Sequence, residues 1–333
     1  MSNAVRRTVC VILTLTAMSA IPPLAIANDA EVFGPPQRTF QFTYTVTVSD
    51  IPDSAGDVKL WIPIPQSNDV QQIRNLLVKS DGAWQPVTES KYGNTFVEVD
   101  LSDHNGGTAR FALSVMVDRT RTVASFSADQ AQHNGNGEFT RYLQPSAFIS
   151  IQGAVADEAA RVTGAERDPL KQAKMLYDHI VNTVVYDKTG EGWGRGDSQY
   201  ACDMRAGNCT DFHSLFIGEA RSLGLPARFI MGFSIPDDAP TGDVGGYHCW
   251  AEFYTEQSGW APIDASEAHK HPERREFLFG GLDANRVDFT VGRDLDIPGA
   301  ASGPLNFSIY PHVEVDGKKH AAVSYTFAYR DVP

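Results

Sequence analysis

The stretch GNCTDFHSLFIGEARSLGLPAR, Gly207 to Arg228, holds the chemistry and the local structure together. Phe212, Leu215, Phe216, Ala220 and Leu223 recur at helical spacing, which predicts a helix over 209–223 with one apolar stripe. Gly224 follows as the expected C-terminal stop. Gly207 allows a sharp turn just ahead of the helix. Cys209 therefore falls in the first turn. Unpaired N–H groups and the positive end of the helix dipole favour a thiolate there, and the same N–H groups suit an oxyanion.

Downstream, three runs read as strands: Ala227 to Ile235, Tyr247 to Tyr254 and Trp260 to Asp264. A nucleophilic thiolate needs a base and a group that orients the base. His248 opens the run HCWAE, and Asp264 closes the run GWAPID. Strand alternation puts His248, Trp250 and Glu252 on one face and Cys249 on the other, pointing away from the site. Neighbouring antiparallel strands bring the Asp264 carboxylate to one ring nitrogen and leave the other facing the thiol.

Upstream, Asp168-Pro169 is a helix-start signal, with Leu170, Ala173, Leu176, Tyr177, Ile180 and Val181 at helical spacing. A Gly-rich, charged loop runs from Lys188 to Asp197. Before these, Thr39 to Val48 alternates as FQFTYTVTV after its first residue. Val58 to Ile62, Phe96 to Val99 and Ala109 to Val117 are further strands, separated by turn clusters such as DHNGG at 103–107. Short strands with turn signals and no helical period predict a β-sandwich. The polar stretch 130–138 reads as a linker. From about Glu273 the chain is loop-rich, with late strands at Phe307 to Val315 and Ala321 to Tyr329.

At 333 residues the chain is long enough for two domains. Its formal net charge of −13 argues against nucleic-acid binding, since an acidic surface repels phosphate backbones. Arg6-Arg7, an apolar run from Val9 to Ile21 and the small-x-small sequence Ala25-Ile26-Ala27 read as a signal peptide cut before Asn28. The apolar run is short for an anchor and is broken by Pro22-Pro23, and no later stretch is long and apolar enough to span. Cleavage removes Cys10 and leaves Cys202, Cys209 and Cys249. Exported proteins usually pair their thiols, so the odd count points to one free cysteine.

Four blocks together resemble the transglutaminase-like superfamily: GNCTDF at 207–212, ARSLGLPAR at 220–228, HCWAE at 248–252 and GWAPID at 259–264. The resemblance covers about residues 165 to 268. It implies a papain-like core, in which a central helix bearing Cys packs on a small antiparallel sheet bearing His and Asp. The family includes peptide cross-linkers, peptidases and amide hydrolases. Cys249 departs from its pattern, because many members carry alanine after the histidine. The flanking sandwich and tail resemble exported bacterial members more weakly.

The expected architecture is therefore α+β. A signal peptide at 1–27 precedes an N-terminal β-sandwich at 28–138, a transglutaminase-like catalytic domain at 139–272 and a C-terminal extension at 273–333. The expected activity is thiol-dependent amide or peptide hydrolysis through an acyl-enzyme on Cys209, with His248 as base and Asp264 as its orienter. Protein cross-linking by Gln-to-Lys acyl transfer, or a binding protein on the same fold, are the rivals. The expected partner is a protein or peptide, a cell-wall peptide among them, in the periplasm or outside the cell.

Other residues compete for roles. His213 lies one helical turn after Cys209 on the same face and rivals His248 as base, but a same-helix pair lacks an evident orienter. Cys202, Cys209, His213, His248 and Cys249 match no usual zinc spacing, and adjacent strand residues point apart, so no metal or cofactor is expected. His269-Lys270-His271 reads as an exposed loop. Trp193 and Gln199 are candidates for a second oxyanion donor, with the Gly-rich loop around Trp193 a candidate substrate wall, although Trp193 reads more readily as a packing aromatic. Cys202 and Cys249 remain as a candidate disulfide.

Overall fold

The computed structural model describes residues 33–126 and 139–332. The signal-peptide reading at 1–27 and the linker reading at 130–138 lie outside the described residues. Among the described residues, no helix is long and apolar enough to cross a membrane. The fold is α+β and its main sheets are antiparallel.

Two five-stranded sheets form the sandwich. The first runs Thr241–Asp243, Val323–Asp331, Gln37–Ile51, Gly107–Thr120, Gln71–Ser80. The second runs Lys318–Lys319, His312–Val315, Val58–Ile64, Thr95–Asp100, Ala83–Thr88. In Gln37–Ile51 the even residues Phe40 to Val48 are fully buried and the odd ones half-exposed, the period-two pattern of a strand with one core face. The strands predicted from such alternation are present, each a few residues longer. Gln71–Ser80 and Ala83–Thr88 had no such signal, because most of their residues are exposed.

The late strands do not stand apart as an extension. His312–Val315 pairs with Val58–Ile64, and Val323–Asp331 pairs with Gln37–Ile51, so both ends of the described chain build the sandwich. Within the same segment, Arg286–Val291 joins the sheet that carries the site.

That third sheet runs Gly259–Ile263, His248–Thr255, Ala227–Ser234, Arg286–Val291. The helix Cys209–Ser222 packs across it, with Phe216 meeting Phe253 at 6.1 Å between ring centroids. This helix is buried on every side, flanked by helices Ala154–Thr163, Pro169–Thr183 and Ser198–Met204. Asp168 caps the second of these by accepting from the N–H groups of Leu170 and Lys171. Phe42 and Phe327 of the sandwich pack on Phe233 and Phe289 of the site sheet, so one hydrophobic core runs through both parts. His269-Lys270-His271 is not the exposed loop expected. Helix Ala265–Lys270 contains its first two residues, and half-buried His269 bonds the Val181 carbonyl at 3.0 Å.

Candidate active site

Asn208 is the N-cap that places Cys209 at the first helical position. Its side chain accepts from the Thr210 N–H, while the Asp211 carboxylate reaches back to the Asn208 N–H at 2.9 Å. Asp211 also accepts from Gly194 N–H at 2.7 Å and Gly196 N–H at 3.0 Å, which clasps the 188–197 loop against the helix start. A Cβ on Gly207 would lie 2.4 Å from the same carboxylate, so only glycine fits there. Trp193 is half-buried in the clasped loop, next to Gly194.

Cys209 is 3% exposed and His248 is 7% exposed, so the pair sits at the edge of the core. Nε2 of His248 lies 2.6 Å from Oδ2 of Asp264, which leaves the other ring nitrogen for the hydrogen bond to Cys209. Asp264 follows directly on the strand Gly259–Ile263 and caps the next helix. Its Oδ1 accepts from Ser266 Oγ and the Glu267 N–H, both at 3.0 Å. One carboxylate thus serves as helix cap and as histidine partner, one oxygen to each.

The charges fit a thiolate–imidazolium pair. Burial alone would lower the His248 pKa, but the Asp264 carboxylate and the Cys209 sulfur raise it to about 10. A hydrogen bond from the Cys249 thiol is the largest influence pulling Cys209 well below an ordinary thiol; burial opposes it and His248 reinforces it. Asp264 is fully buried, which favours its neutral form, yet His248 and Arg286 hold it well below the usual carboxylate range. Arg286 was not singled out in the sequence. Its Nη1 donates to Asp264 Oδ2 at 2.7 Å from the strand Arg286–Val291 at the opposite edge of the site sheet, and its guanidinium stacks over Trp250 at 5.2 Å.

His213 sits in the same cluster without matching His248. Burial pushes it down to about 4, so it is neutral near pH 7. Its Nε2 accepts the Ala265 N–H at 3.1 Å and its Nδ1 lies 3.7 Å from Cys249 Sγ. The outward orientation expected for Cys249 is wrong in its consequence. His248 and Cys249 do alternate, but the face opposite His248 is the one on which the cysteine helix packs. Cys249 therefore meets His213 of that helix at 3.7 Å, while His248, the first residue of the strand, stays beside the helix start.

The candidate disulfide is also absent, since Cys202 and Cys249 are both free. Cys202 bonds instead to Glu158 at 3.1 Å, in the helix Ser198–Met204, and burial pushes its thiol up to about 12. Gln199 lies on that helix too, and its amide donates to Asp203 at 3.0 Å. No cluster of three or more His, Cys, Asp or Glu suited to a metal occurs among the described residues.

A buried cysteine at a helix start, facing His and Asp on an antiparallel sheet, defines the papain-like class of thiol sites. The transglutaminase-like superfamily model matches residues 156–265, a segment that ends one residue past Asp264. Over that segment, about a third of the chain, the protein is similar to the transglutaminase-like superfamily. A Haemophilus influenzae protein of unassigned function is 27% identical over 349 aligned positions, spanning 92% of this chain and 94% of that one. The Mycobacterium leprae protein ML0607 is 29% identical over 136 positions, 38% of this chain and 45% of that one. A crystal structure from Cytophaga hutchinsonii, described as a candidate cysteine protease, superposes with a TM-score of 0.61 at 17% identity. It covers 89% of this chain and 92% of that one, and the likeness is one of fold.

Proposed function

We propose that the protein is a thiol-dependent amide or peptide hydrolase working through an acyl-enzyme on Cys209. The observation that carries this reading is the 2.6 Å contact of His248 with Asp264 beside Cys209 at the helix start, with the thiol lowered and the imidazole raised. In this reading the Cys209 thiolate attacks the amide carbonyl carbon. The oxygen becomes an oxyanion beside the Cys209 N–H at the helix start, with the loop around Trp193 as a wall. His248 then gives its proton to the departing amine, and the thioester remains. In the second half His248 takes a proton from water, the hydroxide displaces the thiolate, and the acid leaves. Asp264 holds the ring and stabilises its charged form without reacting. Export to the periplasm or beyond, after removal of residues 1–27, is part of the same proposal.

The test is acid-quenched intact-mass analysis of the protein mixed with peptide amides, cell-wall stem peptides included. An acyl adduct mapped to Cys209, absent in Cys209→Ala and lost over time to water, is expected. Transfer of the acyl group to an added lysine amine in preference to water would make the protein a cross-linker. No adduct and no turnover with any peptide, from protein whose Cys209 still alkylates, would overturn the reading.

A further inference from the structure

Cys249 is a fully buried thiol that takes part in no bond-making step of the proposed hydrolysis. It lies on the strand His248–Thr255, on the face that receives the cysteine helix. Two contacts orient it. Because His213 Nε2 accepts from the Ala265 N–H, the ring proton resides on Nδ1, which is directed at Cys249 Sγ 3.7 Å away. The Cys249 sulfur can accept that proton, which leaves its own S–H for the neighbouring Cys209. Cys209 lies one turn before His213 on the same helix face, which places Cys249 beside the start of the cysteine helix. The third thiol, Cys202, is engaged with Glu158 and Arg205 elsewhere.

We propose that Cys209 and Cys249 are a reversible oxidation couple, in which a peroxide oxidises Cys209 and Cys249 captures the product as a disulfide. In the first step the Cys209 sulfur attacks one peroxide oxygen. The O–O bond breaks, Cys209 becomes a sulfenic acid, and the other oxygen leaves as water or an alcohol after taking up a proton. In the second step the Cys249 sulfur attacks the Cys209 sulfur. The S–O bond breaks, and the hydroxide leaves as water with the Cys249 proton. Two thiols are oxidised and one peroxide is reduced. Buried against the same helix start, the two sulfurs can reach the bonding distance of about 2.0 Å by side-chain rotation. Closing the bond removes the nucleophile from service, and an external dithiol returns it. Without Cys249, the sulfenic acid is open to a second peroxide and irreversible loss.

The inference rests on Cys209 being the reactive thiol, and its readout needs no substrate. Folded protein is treated with dilute hydrogen peroxide, followed by intact mass and peptide mapping without reduction. The wild type should lose the mass of two hydrogen atoms, give a Cys209–Cys249 cross-linked peptide, and recover both thiols with dithiothreitol. Cys249→Ala should instead gain the mass of two oxygen atoms on Cys209, on the order of tenfold faster than wild type, and not recover. If Cys249→Ala melts too low to handle, Cys249→Ser keeps the volume and the donor and answers the same question. Direct over-oxidation of wild-type Cys209 at the variant's rate, or a cross-link to Cys202, would overturn the proposal. A reversible Cys209–Cys249 cross-link in a protein that acylates with no peptide would leave the couple standing and remove the hydrolase reading.

Discussion

Arg286 donates to Oδ2 of Asp264 at 2.7 Å, the same oxygen that meets His248 at 2.6 Å. Asp264 is completely buried, and so is nearly all of Arg286. A carboxylate in that position is stable only with its charge compensated. The guanidinium supplies a permanent positive charge whatever the state of the imidazole.

Removing Arg286 should therefore damage both folding and catalysis. Arg286→Met leaves Asp264, and also Asp283, short of a buried counter-charge, and stability should fall by about 3–5 kcal/mol. Urea unfolding reads this directly. Arg286→Lys should recover part of the loss, since a lysine keeps the charge but not the geometry of the fork. Wild-type stability in Arg286→Met would mean that His248 alone balances Asp264.

The Asp264 variants separate orientation from charge. Asp264→Asn should lower peptide turnover less than Asp264→Ala, because an amide can still meet Nε2 of His248. Both variants also alter the cap of the helix Ala265–Lys270, so melting must be followed alongside. Near-wild-type turnover in Asp264→Ala would assign Asp264 to the helix cap alone.

Of the two histidines, His248 should be the base. His248→Ala should reduce turnover by a factor on the order of 100 or more. His213→Ala should cost far less turnover, since a ring pushed down to about 4, with its Nε2 bonded to a backbone N–H, is too weak a base near neutrality. His213 has a stability signature of its own. Its folded pKa lies below the unfolded value of about 6.5. The unfolded chain thus binds the extra proton first as pH falls, and stability is lost between about 6.5 and 4. That acid loss should shrink in His213→Asn, measured by unfolding at pH 7 and pH 4.5. The reverse ranking of turnover would move the chemistry onto the cysteine helix.

Alkylation should distinguish the thiols. Cys209, depressed by Cys249 and His248, should react with iodoacetamide at a rate nearly flat from pH 6 to 9. Cys202, pushed up to about 12, should stay unlabelled in the folded protein across that range. A Cys209 rate that climbs through about pH 8.5, as a free thiol does, would remove the activated nucleophile.

Glu219 offers a prediction away from the site. It is fully buried in the cysteine helix, and neither carboxylate oxygen has a hydrogen-bond partner among the described residues. Burial, reinforced by Glu158, raises its pKa well above the usual value. A raised folded pKa favours folding below about pH 4.3 and loses that contribution as pH rises. Glu219→Gln should then stabilise the protein by about 1–3 kcal/mol at pH 7, and the gain should vanish near pH 4. An equal effect at both pH values would mean that Glu219 is not held neutral.

Much of the fold was legible because its signals are local. The apolar stripe from Phe212 to Leu223 predicted a helix that runs Cys209–Ser222, with Gly224 in the left-handed region at its end. The alternation of Phe40 to Val48 predicted a strand with one buried face. His248 and Asp264 were legible as a pair because they sit at the start and just past the end of neighbouring strands, whose register brings Ala251 opposite Ile263.

What the sequence could not decide depended on which surfaces meet. Pleat alternation correctly separated Cys249 from His248, but only the packing of the helix on that sheet shows that the opposite face meets His213 and Phe216 of the cysteine helix. Arg286 gave no signal, because it reaches Asp264 through a strand paired with Ala227–Ser234, across a gap that no spacing rule covers. The C-terminal strands likewise read as an extension until their edges were seen bonded to Val58–Ile64 and Gln37–Ile51. Period and capping are written in consecutive residues. The partner of a sheet edge or of a buried charge is chosen by the closure of the whole chain, where every exposed backbone group and every buried ion must find its complement.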